Sequence, residues 1–219
     1  MADELIPIAR EKLFTAVLSD VLDAAGLRSQ AMRPGVRPLD ESLVMVGRAR
    51  TGLYMDVYHV QTGENPYELE IRLVDDLRRD EVVVLAAGAS GRIAPWGELL
   101  STAARARHAA GCVTDGLVRD VRAIRALKFP VFAGGIGPLD TKGRGKVVAI
   151  DVPVECGGVA VRSGDLVFGD ADGVVVVPRA VEGEIVRAAV EKASGEDRTR
   201  AALERGEKLA DVFARHGIL

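Results

Sequence analysis

Residues 82–133, VVVLAAGASGRIAPWGELLSTAARARHAAGCVTDGLVRDVRAIRALKFPVFA, decide the fold. The apolar run Val82–Ala87 predicts a strand and is followed by a Gly-rich loop. A helix is predicted from about Gly97 to Ala110, a short strand at Cys112–Thr114, a helix from about Asp120 to Leu127 and a strand at Val131–Ala133. Such alternation implies βα units sharing a largely parallel layer.

Working outward toward the N-terminus, Gly63-Glu64-Asn65-Pro66 punctuates the chain. Asn65 is placed as an N-cap and Pro66 as the first helical residue of a helix across Leu69, Leu73, Val74 and Leu77. Before it come a β-rich stretch, Val44–Thr51, and a loop marked by Pro34, Gly35 and Pro38. Leu13, Phe14, Val17, Leu18, Val21, Leu22 and Ala25 recur at helical spacing, predicting one amphipathic helix from Glu11 to Ala25 with Gly26 as its left-handed cap. Beyond Pro138, short β runs at Val147–Ile150, Val159–Val161, Leu166–Phe168 and Val174–Val177 predict a second β layer packed on the first. The tail, Ala180 to Leu219, is helical by period with breaks at Gly195 and Gly206, and is suited to cover the core or reach a neighbouring subunit. With neither repeat nor linker in view, one domain over residues 1–219 is expected.

The composition narrows the function. The chain has 48% hydrophobic and 28% charged residues and a net charge of −3, so nothing draws it generally to nucleic acid or an acidic membrane surface. A small molecule or another protein is the expected partner. Cys112 and Cys156 lie in strand-like apolar surroundings and read as buried thiols of a reducing compartment. Met1–Arg10 lacks the basic-then-apolar pattern of an export signal, and the apolar runs are far shorter than a membrane span, so a cytoplasmic protein is expected.

In parallel βα architecture ligands gather at the carboxyl ends of strands, where the next helix presents unpaired N–H groups. Two corners qualify. In Ala94-Pro95-Trp96-Gly97-Glu98-Leu99-Leu100, Gly97 permits close backbone approach and residues 97–100 form a first helical turn able to seat a carboxylate. In Thr114-Asp115-Gly116-Leu117-Val118-Arg119-Asp120, a guanidinium suited to a substrate carboxylate stands beside a hard oxygen ligand suited to Mg²⁺ or Mn²⁺. From these residues alone, Arg119-Asp120 reads rather as a helix start with an acidic first turn and a solvated arginine.

Gly97-Glu98-Leu99-Leu100 followed by Arg119-Asp120 resembles the signature of the RraA-like family, which includes 4-hydroxy-4-methyl-2-oxoglutarate/4-carboxy-4-hydroxy-2-oxoadipate aldolases and the regulator of ribonuclease E activity. The resemblance extends through Ser19–Asp23, Val46–Thr51, Gly63–Asn65, Val131–Ala133, Cys156–Val159, Gly164–Leu166 and Asp170–Val174. It implies an α/β fold, a β/β/α swivelling-domain sandwich with a helical C-terminal tail, assembled as a homotrimer or homohexamer. It further implies that the backbone of Gly97, Glu98, Leu99 and Leu100 and the side chain of Arg119 hold the pyruvyl end of a 2-oxo acid. Asp120 would anchor a divalent cation, and Glu98 would hold water on that metal. Two positions depart from the family pattern: Glu98 stands where Asp is common, and Ala123 where aldolases tend to be acidic.

The implied reaction is metal-dependent retro-aldol cleavage of 4-hydroxy-4-substituted 2-oxo diacids to pyruvate, with oxaloacetate decarboxylation through the same enolate. Its distal base is unassigned, Glu196 being a candidate from a neighbouring subunit. The competing reading is a non-catalytic regulator that binds a ribonuclease. A Schiff-base route is disfavoured because Lys128, Lys142 and Lys146 lie outside both corners. His59, His108 and His216 lack ligand spacing, and Gly134-Gly135-Ile136-Gly137 reads as a loop rather than a dinucleotide motif. Trp96 is placed either in the core or on the pocket wall.

Overall fold

A computed structural model of the chain describes residues 4–88 and 90–217. The first strand, β1, is the short Arg37–Pro38. The predicted parallel layer follows as β2 (Met45–Asp56), β3 (Glu81–Ala86), β4 (Gly111–Val118) and β5 (Val131–Ile136), each parallel to its neighbour. The helices between them, α3 (Glu68–Asp75), α4 (Glu98–Ala106) and α5 (Val121–Leu127), share one face of the sheet. Val83 and Leu85 pack toward these helices while Val82, Val84 and Ala86 point into the opposite core. Burial on both faces is why β3 is a continuous apolar run.

Several boundaries differ from expectation. Gly134-Gly135-Ile136 is the end of β5 rather than a loop. Asn65 does not cap α3: its Oδ1 accepts the Tyr67 N–H at 3.1 Å, closing a turn that delays the helix to Glu68. The single N-terminal helix is two, α1 (Leu5–Lys12) and α2 (Thr15–Ala24), with Leu13 and Phe14 extended between them. Asp170 causes the break by accepting from the Thr15 N–H at 2.8 Å and the Thr15 hydroxyl at 2.6 Å. Gly26 is left-handed, at φ +80°, as expected of a cap.

The late strands do not build a separate layer. β6 (Gly145–Ile150) and β9 (Leu166–Asp170) both pair antiparallel with β2, side by side along its length, and β10 (Gly173–Val177) continues from β9. Only β7 (Val154–Cys156) and β8 (Val159–Val161) stand apart, as a hairpin. Two β walls arise instead because the one sheet curls. The Met32 N–H donates to Val174 O at 2.8 Å, and a Cβ on Gly169 of β9 would lie 2.7 Å from the Phe132 ring of β5. Met45, Val84, Phe132, Val167 and the β7–β8 hairpin fill the enclosed core. The fold is therefore a mixed α/β sandwich with a nearly closed sheet.

The C-terminal helix α6 (Glu182–Glu204) runs unbroken through the buried Gly195, and α7 (Leu209–His216) follows Gly206. Packing overrides the roughly 1 kcal/mol penalty of a mid-helix glycine. Ile185, Val186, Ala189 and Ala193 join α1 and α2 over Val46, Leu166, Phe168, Val175 and Val177, so this half of the tail covers the core. Among the described residues no helix is long and apolar enough to cross a membrane.

Candidate active site

The site is built on the end of β4, which is longer than the three residues predicted. Register shifts between Thr114 and Leu117, and the Gly116 N–H donates to Thr114 Oγ1 at 3.0 Å, the marks of a bulge. A Cβ at Gly134 would come within 2.4 Å of Asp115 O, so only glycine lets β5 accept the bulged strand. Asp115 is thus a buried strand residue, not part of a helix entry. Its carboxylate accepts from the N–H groups of Ala87, at 2.7 Å, and Gly157, at 3.3 Å, and pairs with Arg33 at 3.5 Å.

After Val118 the chain turns. The Arg119 N–H donates to Trp96 O at 3.0 Å, tying the two predicted corners together. Asp120 takes φ +58°, a left-handed conformation that Asp tolerates better than most residues, before α5 begins. On the other side Trp96 is fixed by an Nε1–H bond to Ser101 Oγ at 2.8 Å, and Ser101 Oγ in turn donates to Gly97 O at 2.9 Å. Trp96 is both core and wall: it is buried, and it lines the cleft.

Gly97 is where the corners touch. A Cβ there would sit 2.7 Å from Asp120 Oδ2 and 3.2 Å from Arg119 Cγ, and its absence admits both side chains to the start of α4. Asp120 Oδ2 accepts the Glu98 N–H at 3.2 Å and lies 3.7 Å from Arg119 Nε. Leu99 and Leu100 complete the first turn, where a helix offers its N–H groups no acceptor of its own. Leu99 is 78% exposed and Leu100 half-buried, both on the cleft lining.

The opposite rim was not foreseen from the sequence. Arg119 Nη1 lies 3.4 Å from Asp140 Oδ1, and the Tyr67 hydroxyl donates to Asp140 Oδ2 at 2.7 Å. Burial opposes ionisation of Asp140, but Tyr67, the N–H of Thr141 and Arg119 outweigh it and hold this carboxyl below its ordinary value. Burial and the neighbouring Asp140 push Tyr67 up to about 12, so it remains a donor. Glu70, from α3, also lines the cleft. Its burial, reinforced by Asp140 and opposed by Tyr54 and Arg119, raises it to about 7. The signal for Glu70 was present, since positions 70, 73, 74 and 77 form one helical stripe and the other three are apolar and buried. Asp140 and Tyr67 carried no comparable pattern. The cleft, open to solvent on one side, offers about 200 Å³, the scale of a small acid.

Of the residues singled out by sequence, Gly97, Leu99, Leu100, Arg119 and Asp120 converge on this cleft. Glu98 supplies its N–H, while its carboxylate accepts from Thr102 Oγ1 at 2.7 Å along α4 and is not on the lining. Glu196 lies in α6, which packs against α1, α2 and α7, away from the cleft of its own chain. Lys146 is paired with Glu64, and Lys128 with Asp40 at 2.9 Å. Among the described residues no three His, Cys, Asp or Glu side chains converge as a ready metal cage. Mg²⁺ asks for less: it keeps several waters and takes one or two carboxylates with substrate oxygens completing its shell. Asp120, nearly half exposed and bonded through one oxygen only, fits that demand.

Comparison with known proteins agrees with the fold. The RraA-like family model, Aldolase/RraA, matches residues 15–176. A Halalkalibacterium halodurans protein named "Putative 4-hydroxy-4-methyl-2-oxoglutarate aldolase" is 37% identical over 188 residues, 85% of this chain and 83% of that one. An uncharacterized Pseudomonas syringae protein of known structure superposes with a TM-score of 0.84 at 27% identity, covering 96% of both chains. Streptomyces coelicolor RraAS2, described as an unusual member of the RNase ES inhibitor RraA family, superposes at 0.79 with 29% identity, over 90% of this chain and 96% of its own. The chain belongs to the RraA-like family.

Proposed function

We propose that this protein is a pyruvate-forming lyase that cleaves 4-hydroxy-4-substituted 2-oxo diacids and decarboxylates oxaloacetate, working as a homotrimer or homohexamer in the cytoplasm. The observation that carries the reading is the meeting of Arg119 and Asp120 on the first turn of α4, where a side chain at position 97 would crowd the Asp120 carboxylate. The aldolase name of the Halalkalibacterium relative supports the reaction class.

The N–H groups of Leu99 and Leu100 and the Arg119 guanidinium would seat the carboxylate of the pyruvyl end. Asp120 would hold Mg²⁺ or Mn²⁺, which supplies Lewis-acid polarisation of the 2-keto group when bound. Arg119 carries the second task. As the bond to C4 breaks, charge moves onto the C2 oxygen, and a fixed guanidinium in a partly dry cleft stabilises it better than water does. Asp140, itself gripped by Tyr67, keeps Arg119 aimed. Trp96, Ala94 and Pro95 wall off solvent from the enolate.

The test is pyruvate release from oxaloacetate and from 4-hydroxy-4-methyl-2-oxoglutarate, followed with coupled lactate dehydrogenase in Mg²⁺, Mn²⁺ or EDTA. Metal-dependent release is expected; no release from either substrate rejects the proposal. The second reading, a regulator that binds a ribonuclease, is favoured by the likeness to Streptomyces coelicolor RraAS2. It predicts a stable ribonuclease complex in a pull-down, with no turnover.

A further inference from the structure

The proposed cleavage needs a group to take the proton of the 4-hydroxyl, and among the described residues the cleft lining has one carboxyl that is in no ion pair, that of Glu70. Arg119 is engaged by Asp120 and Asp140, Asp140 by Tyr67, and Glu98 by Thr102. Glu70 has only the buried Tyr54 hydroxyl of β2 beside it. Glu70 is only 7% exposed yet lines the cleft with Arg119 and Asp120. The Tyr54 hydroxyl favours the ionised Glu70 carboxyl, although among the described residues it makes no bond of ordinary geometry that would lock the carboxyl in place. A carboxyl placed on the apolar stripe of α3 costs stability unless another requirement keeps it there.

Resting on the reaction proposed above, we infer that Glu70 is the catalytic base of carbon–carbon cleavage: a carboxylate that removes the substrate's 4-hydroxyl proton and returns it to the enolate carbon. The proton on the C4 oxygen passes to Glu70 and the freed electron pair makes the C4 carbonyl. The C3–C4 bond breaks, and its pair becomes the enolate whose negative oxygen faces Arg119. Glu70 then delivers the same proton to C3, completing the methyl group of pyruvate and regenerating the carboxylate. No co-reactant is consumed.

The surroundings suit a base that works near neutrality. α3 packs against β2, β6 and α4. β2 brings Tyr54, β6 brings Lys146 already paired with Glu64, and α4 brings Glu98 bonded to Thr102. The loops bring Arg119, Asp140 and Tyr67. Burial first, then Asp140, raise Glu70 to about 7, where a carboxylate is both available and basic enough to accept a hydroxyl proton.

The two proposed substrates separate this role from a merely structural one, because oxaloacetate loses CO₂ without surrendering a hydroxyl proton. Glu70→Gln is expected to slow kcat for 4-hydroxy-4-methyl-2-oxoglutarate about 100-fold with little change in KM, and oxaloacetate decarboxylation less than about 10-fold. The wild-type rise of cleavage rate with pH near 7 should vanish in the variant. Equal losses on both substrates, or none, overturn the inference. Should Glu70→Gln fail to fold, Glu70→Asp serves: cleavage must again fall more than decarboxylation, and equal losses overturn the assignment. A wild-type protein that decarboxylates oxaloacetate but leaves the hydroxy acid intact rejects the Glu70 role alone. One that turns over neither rejects the lyase reading and Glu70 with it.

Discussion

β4 and its exit carry two arginine–aspartate pairs, Arg33–Asp115 and Arg119–Asp120, that differ in almost every physical respect. The Asp115 side chain is 4% exposed, saturated by the N–H groups of Ala87 and Gly157, and paired with an arginine from before β1. The Asp120 side chain is 48% exposed, receives one N–H bond, and sits in a left-handed backbone conformation beside an arginine that is also partly exposed. The first pair ties the β7–β8 hairpin to the sheet. The second leaves charge and unused acceptor capacity facing a cleft. Residue type does not distinguish binding from structure here; what distinguishes them is whether hydrogen-bonding capacity is already filled.

If that contrast is right, the two pairs respond oppositely to truncation. Arg119→Ala should lower pyruvate release by about 1000-fold, about 4 kcal/mol of transition-state stabilisation, while leaving the melting temperature within about 2 °C. Asp115→Ala should instead destabilise the fold by about 2–4 kcal/mol in urea unfolding, since it leaves two buried N–H groups unpaired. A variant with full stability and no activity would merge the two pairs into one functional unit.

Glu70 sharpens the contrast through pH. Its native carboxyl, at about 7, lies above the ordinary 4.5 of an unfolded chain. Below pH 4.5 both states are protonated and the group contributes nothing. As pH rises toward 7 the unfolded state ionises first, and stability is lost, on the order of 3 kcal/mol, before levelling off. Urea unfolding of wild type against Glu70→Gln at pH 4.5 and 7.5 should show the variant gaining relative to wild type at the higher pH; a constant difference would contradict it. The smallest effect belongs to Gly97→Ala. The methyl would displace the Asp120 carboxylate, a mobile group, so activity should fall about 10- to 100-fold with less than about 1 kcal/mol lost in stability.

Much of this arrangement was legible in the chain. The run from Val82 to Ala133 yields the parallel layer because its strands are buried on both faces and its helices keep their period. Gly97, Arg119 and Asp120 were legible because a glycine before a helix start and an Arg-Asp pair after a strand each have a chemical use. The rest depended on distant partners. Asp115-Gly116 reads as part of the corner after a strand ending at Thr114, yet Gly134 across the sheet lets it continue as a bulged strand. The late strands read as another layer because alternation does not say which edge they join. The break at Leu13-Phe14 is made by Asp170, far along the chain. Glu70 is hard to read from sequence because Leu69, Leu73, Val74 and Leu77 make a complete apolar stripe without it, and a carboxylate beside such a stripe normally faces solvent.

The most direct test follows the pyruvate methyl signal by proton NMR as the wild-type protein acts on 4-hydroxy-4-methyl-2-oxoglutarate, with Mg²⁺ and with EDTA, beside Asp120→Asn. Asparagine keeps the left-handed tolerance of position 120 and removes the charge. The account predicts Mg²⁺-dependent pyruvate formation that EDTA stops and that Asp120→Asn reduces at least about 100-fold while folding normally. Pyruvate formed equally well with EDTA or by Asp120→Asn, or none formed by the wild type, would contradict it.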